Sequence, residues 1–169
     1  MIHVCSLSRL HDTVVATGAR HVVSLLGNED NLTLPPGIAR GDHLWLQFHD
    51  IVEPRDGHIH PAGEHIERLI GFVKRWQRAS PMVIHCYAGI SRSTAAAYVA
   101  VCTLNPEGTE DAIARALRRA SPTATPNIRI VALADDVLGR RGRMVDAVTA
   151  IGQGMLAEAA PFRLELKGH

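Results

Sequence analysis

Cysteine, arginine and serine occur close together in the segment HCYAGISRST, which spans residues 85–94. Cys86 follows a short apolar stretch that is typical of a strand and precedes an Ala-rich stretch that is typical of a helix. A thiol at such a turn lies among backbone N–H groups at the positive end of a helix, and both favour its ionised, nucleophilic form. The segment therefore predicts an anion-binding loop that carries a nucleophile.

The neighbours of Cys86 are suited to the same chemistry. Gly89 permits a tight backbone turn, and Arg92 offers a planar fork of donors to two phosphoryl oxygens. Ser93 is placed to donate a hydrogen bond to Cys86 when the sulfur becomes a leaving group. His85 is placed to fix the loop through its ring nitrogens. The alternative interpretation is a buried structural cysteine with an unrelated surface arginine.

HCYAGISRS resembles the active-site signature of the protein tyrosine phosphatase superfamily, in which His-Cys is followed by five residues, Arg and Ser or Thr. The ISRS ending and the length of 169 residues are most similar to the small dual-specificity-type phosphatases and the compact bacterial tyrosine phosphatases. The order of strands and helices over residues 1–139, including SPTATPNIRIV at 121–131, is also similar to that family. Residues 140–169 have no recognised counterpart and are expected to form a helical extension.

The resemblance implies hydrolysis of a phosphate monoester in two steps, without a metal or cofactor. Cys86 would attack phosphorus, and a carboxylic acid would protonate the leaving oxygen and later activate water. Asn127 would support the catalytic loop, residues 85–93. The phosphate is expected to bind to the loop residues Tyr87, Ala88, Gly89, Ile90, Ser91 and Arg92.

The required acid is expected in the polar stretch 50–63, which precedes a long amphipathic helix. Asp50 and Asp56 lie 36 and 30 residues before Cys86, and the resembling family has its acid at about that separation. Asp50 is favoured because it directly follows an alternating strand, whereas the Asp56-Gly57 pair is typical of a turn. Glu53 is the next candidate if neither serves.

Hydrophobic periodicity predicts strands that alternate with helices. The predicted strands are Ile2–Leu7, His21–Leu26, His43–His49 and Pro81–His85. The predicted helices are His11–Arg20, Glu64–Arg78, Arg92–Leu104, Thr109–Ala120, a helix capped by Thr125-Pro126 and ending near Gly139, and Arg143–Met155. This pattern indicates an α/β fold with a central mixed, mostly parallel sheet of about four to five strands and helices on both faces. Residues 1–169 are expected to form one phosphatase domain.

The composition excludes several classes of function. A formal net charge of +1 and an aromatic content of 4% give no reason to expect a nucleic-acid partner. No apolar stretch approaches the ~20 residues that span a bilayer, and the first residues do not resemble a signal peptide. Three cysteines are too few for a disulfide scaffold. A reduced, cytoplasmic protein without a membrane partner is predicted.

Other residues that could do chemistry have simpler interpretations. The cluster His58, His60 and His65 with Asp56 and Glu64 could suit zinc, but a polar loop in a histidine-rich chain is favoured, so no metal is predicted. Cys5 and Cys102 are expected to be small buried hydrophobic residues. Helix-end cations on solvated faces are the favoured interpretation of the arginines at 115, 118, 119, 140, 141 and 143, with a docking site for acidic partners as the alternative.

The predicted function is hydrolysis of phosphotyrosine, and optionally phosphoserine or phosphothreonine, in a phosphorylated protein. A phosphatase of phosphoinositides or other non-protein substrates is one alternative, although residues 87–91 contain no lysine. A pseudoenzyme that only binds phosphate is another, and a rhodanese-like sulfurtransferase is a third. His85 and Ser93 favour the phosphatase over the sulfurtransferase.

Overall fold

The computed structural model describes residues 1–27 and 30–166, which form a sheet with helices on both faces. The strands are β1 (Ile2–Ser6), β2 (His21–Leu26), β3 (His43–Gln47), β4 (Met82–Cys86) and β5 (Phe162–Leu164). The helices are α1 (Leu10–Thr17), α2 (Gly63–Arg75), α3 (Arg92–Leu104), α4 (Glu110–Ala120), α5 (Ile128–Val137) and α6 (Arg143–Ile151). The predicted α/β class is confirmed.

The sheet has the strand order β3-β2-β4-β1-β5. The first four strands are parallel, and β5 pairs with β1 in the antiparallel direction. All five residues of β4 are buried, as expected for a strand covered on both faces. The predicted mixed, mostly parallel sheet is confirmed, and the carboxyl end of its central strand carries Cys86.

The two faces of the sheet bury different sets of apolar side chains. Val23 and Ile84 belong to the large core between the sheet and helices α2 to α6. Val22 and Val83 belong to a smaller cluster beneath α1. This division follows from strand geometry, because consecutive side chains point to opposite faces. The helices predicted on both faces are confirmed, with α1 alone on one of them.

Helix α3 is the central helix of the larger layer. Its residues from Arg92 to Cys102 are all buried, and its alanines allow the sheet and the neighbouring helices to approach closely. A helix that is apolar around its whole circumference is expected to be enclosed in this way. Because α3 begins directly after the Cys86 loop, its packing fixes the position of that loop. No helix among the described residues is both long and apolar enough to cross a membrane.

Two expectations for the second half of the chain are wrong in detail. Thr125-Pro126 does not cap α5, because Asn127 is the N-cap and its side-chain oxygen accepts hydrogen bonds from two backbone N–H groups of the first turn. The C-terminal extension is helical only over α6, and β5 then covers the free edge of β1. Three residues are too few for a periodic pattern, so β5 had no signal in the sequence. Residues 167–169 of the extension lie outside the described part of the chain.

A buried ion-pair network attaches α6 to the rest of the helical layer. One carboxylate oxygen of Glu110 accepts from Arg140 Nη1 at 2.8 Å, and the other accepts from Arg143 Nε at 3.3 Å. Arg140 also donates to the Cys102 carbonyl at 2.9 Å. Burial by itself raises the pKa of Glu110, but its backbone hydrogen bond and the two arginines outweigh burial and hold the pKa below its usual value. Arg140 is therefore structural rather than a solvated surface cation, whereas the Arg143 side chain is 54% exposed.

Substitution of Glu110 by glutamine should lower the free energy of unfolding by about 3 kcal/mol at about pH 7, because it leaves Arg140 buried without an anion. The folded-state pKa of Glu110 is depressed, so its contribution is complete above the unfolded value of about 4.3 and is lost as the pH falls through the folded value. Urea unfolding of both proteins across this pH range measures the difference, which should shrink at low pH.

Asp111→Asn is the matched control, because Asp111 is the next residue and its ion pair with Arg115 is exposed. Its effect should stay below about 0.5 kcal/mol at every pH. If Glu110→Gln is as mild as Asp111→Asn, the buried network does not stabilise the fold.

Candidate active site

The loop from Cys86 to Ser91 connects the end of β4 to the start of α3. Parallel α/β sheets bind ligands at the carboxyl ends of their strands, and this loop lies at that edge beside the ends of β1 and β2. Tyr87, Ala88, Gly89, Ile90 and Ser91 form the loop between Cys86, the last residue of β4, and Arg92, the first residue of α3. The strand, loop and helix that the sequence predicted are all present.

Gly89 makes the tight curl of the loop feasible in two ways. Its φ of 75° lies in the left-handed region, which side chains disfavour. A Cβ at this position would also approach the backbone nitrogen of Ser6 to 2.8 Å and the carbonyl carbon of Cys5 to 2.9 Å. The loop therefore packs directly on the end of β1. From this position the Gly89 N–H donates a hydrogen bond to Cys86 Sγ at 3.3 Å.

The carbonyl groups of the loop are held from outside by three backbone hydrogen bonds. They are Leu7 N–H to Tyr87 O (3.0 Å), Thr125 N–H to Ile90 O (2.9 Å) and Asn127 N–H to Ser91 O (3.2 Å). In a planar trans peptide the C=O and the following N–H point in opposite directions. The N–H groups of Ala88, Ser91 and Arg92 therefore point away from these partners. This geometry is that of an anion-binding nest.

Cys86 lies at the base of this loop. Its side chain is 2% exposed, and its Sγ lies 3.1 Å from the hydroxyl of Ser93 in the first turn of α3. When the sulfur is ionised, the Ser93 O–H is the donor of that hydrogen bond. The contact predicted between Ser93 and Cys86 is present. A sulfur so placed receives donors from Gly89 and Ser93 and the positive end of α3.

Arg92 is buried, with 8% of its surface exposed, at the N-terminus of α3. Its Nη1 donates to the Phe48 carbonyl at 3.0 Å, which fixes the guanidinium beside the end of β3. Its Nε has no hydrogen-bond partner among the described residues. A buried charged group with an unused donor is costly unless it has a ligand to bind. Arg92 is thus held in place with hydrogen-bonding capacity remaining for an oxyanion.

An open cleft of about 470 Å³ lies over this loop. Tyr87 and Arg92 line it from the loop and the start of α3, and Tyr87 is 62% exposed. The other lining residues come from the segments after β2 and β3, and they are Asp30, His49, Asp50, Ile51, Arg55 and His58. The cleft is therefore polar and contains both cations and carboxyl groups.

Asp50 lies in the cleft and is joined to the catalytic loop. Its Oδ1 accepts hydrogen bonds from Ser91 Oγ and from Asn127 Nδ2, both at 2.8 Å. Asn127 also donates to the Ile51 carbonyl at 3.3 Å. The Asn127 side chain thus caps α5 and holds the loop after β3, while its backbone N–H donates to the Ser91 carbonyl in the loop after β4. Asn127 thus contacts both loops, and its supporting role stays a prediction.

The other two candidate acids are placed differently. Asp56 and Glu53 are exposed, and neither lines the cleft. The Asp56 carbonyl accepts from His58 Nδ1 at 3.0 Å within a turn that contains Gly57 at φ 74°. The Asp-Gly pair therefore forms the turn that its sequence predicts.

His85 belongs to a buried row of polar groups that crosses the sheet. Its Nε2 lies 2.7 Å from Ser24 Oγ, which lies 2.9 Å from His43 Nε2. Burial lowers the pKa of His85 to about 4, although the backbone of Cys86 acts in the opposite direction. A neutral His85 behind the thiol is consistent with a positioning role. The sequence analysis missed Ser24, although a lone serine in the apolar strand HVVSLL is a signal that a buried partner exists.

The remaining candidates are not gathered into a second site. The described residues contain no cluster of three or more potential metal ligands. His58, His60 and His65 each make hydrogen bonds to separate backbone groups. Burial raises the pKa of Cys5 to about 11 and that of Cys102 to about 12. Both thiols are therefore poor nucleophiles near neutral pH.

Solved structures identify the fold. No protein-family model matches the chain, and no curated relative matches its sequence. Human DUSP28 matches with a TM-score of 0.64 at 15% identity, over 82% of this chain and 88% of that chain. The PTP-2 phosphatase of Cydia pomonella matches with a TM-score of 0.61 at 18% identity, over 80% and 84%. PTPMT1 in complex with PI(5)P matches with a TM-score of 0.61 at 13% identity, over 89% and 94%.

The chain therefore has the fold of the dual-specificity and tyrosine phosphatases. The resemblance to the protein tyrosine phosphatase superfamily, which the HCYAGISRS segment suggested, is confirmed at the level of the fold. The match to PTPMT1, over 89% of this chain, includes more of the chain than the first 139 residues to which the sequence resemblance was limited.

Replacement of Gly89 by alanine should abolish binding of inorganic phosphate, because the loop cannot curl without a clash against β1. Titration calorimetry with phosphate measures this directly. Gly139→Ala is the control, since Gly139 also has a positive φ of 64° but a Cβ there would meet no atom within 4 Å. Phosphate affinity within about threefold of wild type for Gly89→Ala would contradict the assignment of this loop as the anion site.

Proposed function

We propose that this protein is a cysteine-dependent phosphatase that hydrolyses phosphotyrosine in proteins. The observation that carries the proposal is the arrangement of three groups around the loop from Cys86 to Arg92. The Cys86 thiol accepts from the Gly89 N–H within this loop, Arg92 follows the loop with an unused Nε donor, and Arg92 and Asp50 line the same cleft. A nucleophile, an oxyanion clamp and an acid are the groups that phosphoryl transfer requires.

In the first step, the Cys86 thiolate attacks phosphorus opposite the ester oxygen. The P–S bond forms while the P–O bond breaks, and the leaving oxygen takes a proton from Asp50. Loop N–H groups and the Arg92 fork stabilise the charge on the three phosphoryl oxygens. The products are the free alcohol or phenol and a cysteinyl-phosphate.

In the second step, the Asp50 carboxylate takes a proton from water, and the water oxygen attacks phosphorus. The P–S bond breaks and its electron pair returns to the sulfur. Ser93, at 3.1 Å, donates a hydrogen bond that stabilises the departing thiolate. Inorganic phosphate leaves, and Asp50 is protonated again for the next cycle.

The burial of the nucleophile favours phosphotyrosine over phosphoserine and phosphothreonine, whose side chains are shorter. Cys86 is almost completely buried, whereas Tyr87, the next residue, is exposed and lines the cleft. A phosphate on a long aromatic side chain reaches such a base, and its ring can pack against Tyr87. Relative rates on phosphotyrosyl and phosphoseryl peptides of one sequence test whether shorter side chains are also accepted.

A phosphoinositide phosphatase is the second candidate. Two side chains in the cleft, Arg55 and His58, could meet further phosphate groups, and PTPMT1 with bound PI(5)P is among the matching structures. Against this, residues 87–91 offer no lysine beside the nucleophile. Hydrolysis of PI(5)P in vesicles that exceeds hydrolysis of a phosphotyrosyl peptide would favour this second candidate.

Cys86 should be the residue on which turnover depends. Wild type should hydrolyse p-nitrophenyl phosphate, and Cys86→Ser should reduce the rate at least ~10³-fold because serine is not ionised. Iodoacetate should alkylate Cys86 before Cys5 and Cys102, because burial raises the pKa of both of those thiols. Cys102→Ala serves as the control and should retain turnover. Wild-type turnover by Cys86→Ser would eliminate the proposed mechanism.

Asp50 should be the general acid. Asp50→Asn should slow hydrolysis of phenyl phosphate by about 10²–10⁴, and should slow an activated aryl phosphate much less, because a good leaving group needs no proton. Steady-state rates on a series of aryl phosphates measure this dependence. Asp56→Asn is the matched control. The assignment reverses if Asp56→Asn shows the leaving-group dependence and Asp50→Asn does not.

A further inference from the structure

A segment near the C-terminus, residues 151–155, is joined to the catalytic loop through one intervening loop. It follows α6, in the part of the chain that sequence resemblance did not cover. It contacts the connection between α4 and α5, residues 121–127, which we call the bridging loop. The bridging loop in turn contacts the catalytic loop. This chain of contacts links the C-terminal segment to the proposed phosphate site.

The first link joins the bridging loop to the catalytic loop. The Thr125 N–H donates to the Ile90 carbonyl at 2.9 Å, and the Asn127 N–H donates to the Ser91 carbonyl at 3.2 Å. Because the peptide unit is planar, these two bonds turn the N–H groups of Ser91 and Arg92 toward the opposite side. The position of the bridging loop therefore determines where two amides of the nest point.

The second link joins the C-terminal segment to the bridging loop by backbone contacts. The Gly154 N–H donates to Thr125 Oγ1 at 3.1 Å, and the Met155 N–H donates to the Pro122 carbonyl at 2.9 Å. A Cβ on Gly154 would lie 2.5 Å from the carbonyl carbon and oxygen of Thr123. The two backbones are thus in direct contact, and any side chain at 154 would push them apart.

Arg118 fastens these segments together. From the last turn of α4, its Nη1 donates to the Pro122 carbonyl at 2.7 Å and its Nη2 donates to the Gly152 carbonyl at 2.7 Å. Nη2 also reaches the Ile151 carbonyl at 3.4 Å. One planar guanidinium therefore satisfies carbonyl groups on both sides of the contact, which a lysine cannot do with the same geometry.

We propose that Arg118 and Gly154 are positioning residues for the phosphate-binding loop. They hold the bridging loop against the C-terminal segment, so that Thr125 and Asn127 keep the nest amides aimed at the bound phosphate. This inference rests on the proposed function, because it assigns these residues a role in that same site. It extends the site to a region that touches neither substrate nor nucleophile.

The test compares Arg118→Met with Arg119→Met. Methionine keeps much of the apolar stem but removes the three donated bonds, and Arg119 is the adjacent, exposed arginine of the same helix. Arg118→Met should lower kcat/KM for p-nitrophenyl phosphate and the affinity for inorganic phosphate, each by about tenfold or more, since small displacements of binding groups are costly. Arg118→Lys should recover only part of the loss. Arg119→Met should match wild type in both.

Phosphate affinity, measured by calorimetry well below the melting temperature, separates positioning from simple stabilisation. A purely structural arginine would shift the melting temperature and leave phosphate affinity unchanged. The proposal is overturned if Arg118→Met binds phosphate and turns over substrate as Arg119→Met does. Failure of the proposed function looks different, because wild type itself would then not hydrolyse the ester, whether or not it binds phosphate.

Gly154→Ala provides a second variant that leaves every charge in place. Its Cβ should displace the bridging loop and weaken phosphate binding by about tenfold or more. Gly41→Ala is its control, because a Cβ at Gly41 meets nothing within 4 Å and neither glycine has a positive φ. Equal phosphate affinity for the two folded variants would also overturn the proposal.

Discussion

The site depends on one constraint, which is that several backbone N–H groups must point into the same small volume. A flexible loop would not keep them there, because each amide would prefer water or a neighbouring carbonyl. Here the opposite side of three loop peptides is occupied, because the carbonyls of Tyr87, Ile90 and Ser91 accept hydrogen bonds from other parts of the chain. Peptide planarity then orients the amides without any side chain inside the nest.

Much of the surrounding fold serves this constraint. The end of β1 supplies the Leu7 donor and leaves room only for glycine at position 89. The bridging loop supplies two further donors. Helix α3 is enclosed on all sides, which fixes its N-terminus and the Arg92 guanidinium at the edge of the sheet. Preorganised donors of this kind need no rearrangement when charge develops on the transferred phosphoryl group, which is why they are effective in catalysis.

The sequence predicts local features well and distant contacts poorly. The loop from Cys86 to Arg92 is contiguous, so its chemistry and its strand-to-helix setting are visible in ten residues. The bond between Asp50 and Asn127 joins residues 77 apart, and no periodic pattern encodes it. The same holds for the contact of Gly154 with the bridging loop. Strand β5 was not predicted, because three residues are too few to show an alternating pattern. It pairs with the free edge of β1.

In the proposed mechanism Cys86 Sγ is the atom that carries the phosphoryl group, and trapping that intermediate is the most direct test. Asp50→Asn with p-nitrophenyl phosphate should favour accumulation, because the first step has a good leaving group while the second lacks its base. After rapid acid quenching, peptide mass spectrometry should find phosphate on Cys86. Turnover without phosphate on Cys86, or phosphate on another residue, would contradict the account.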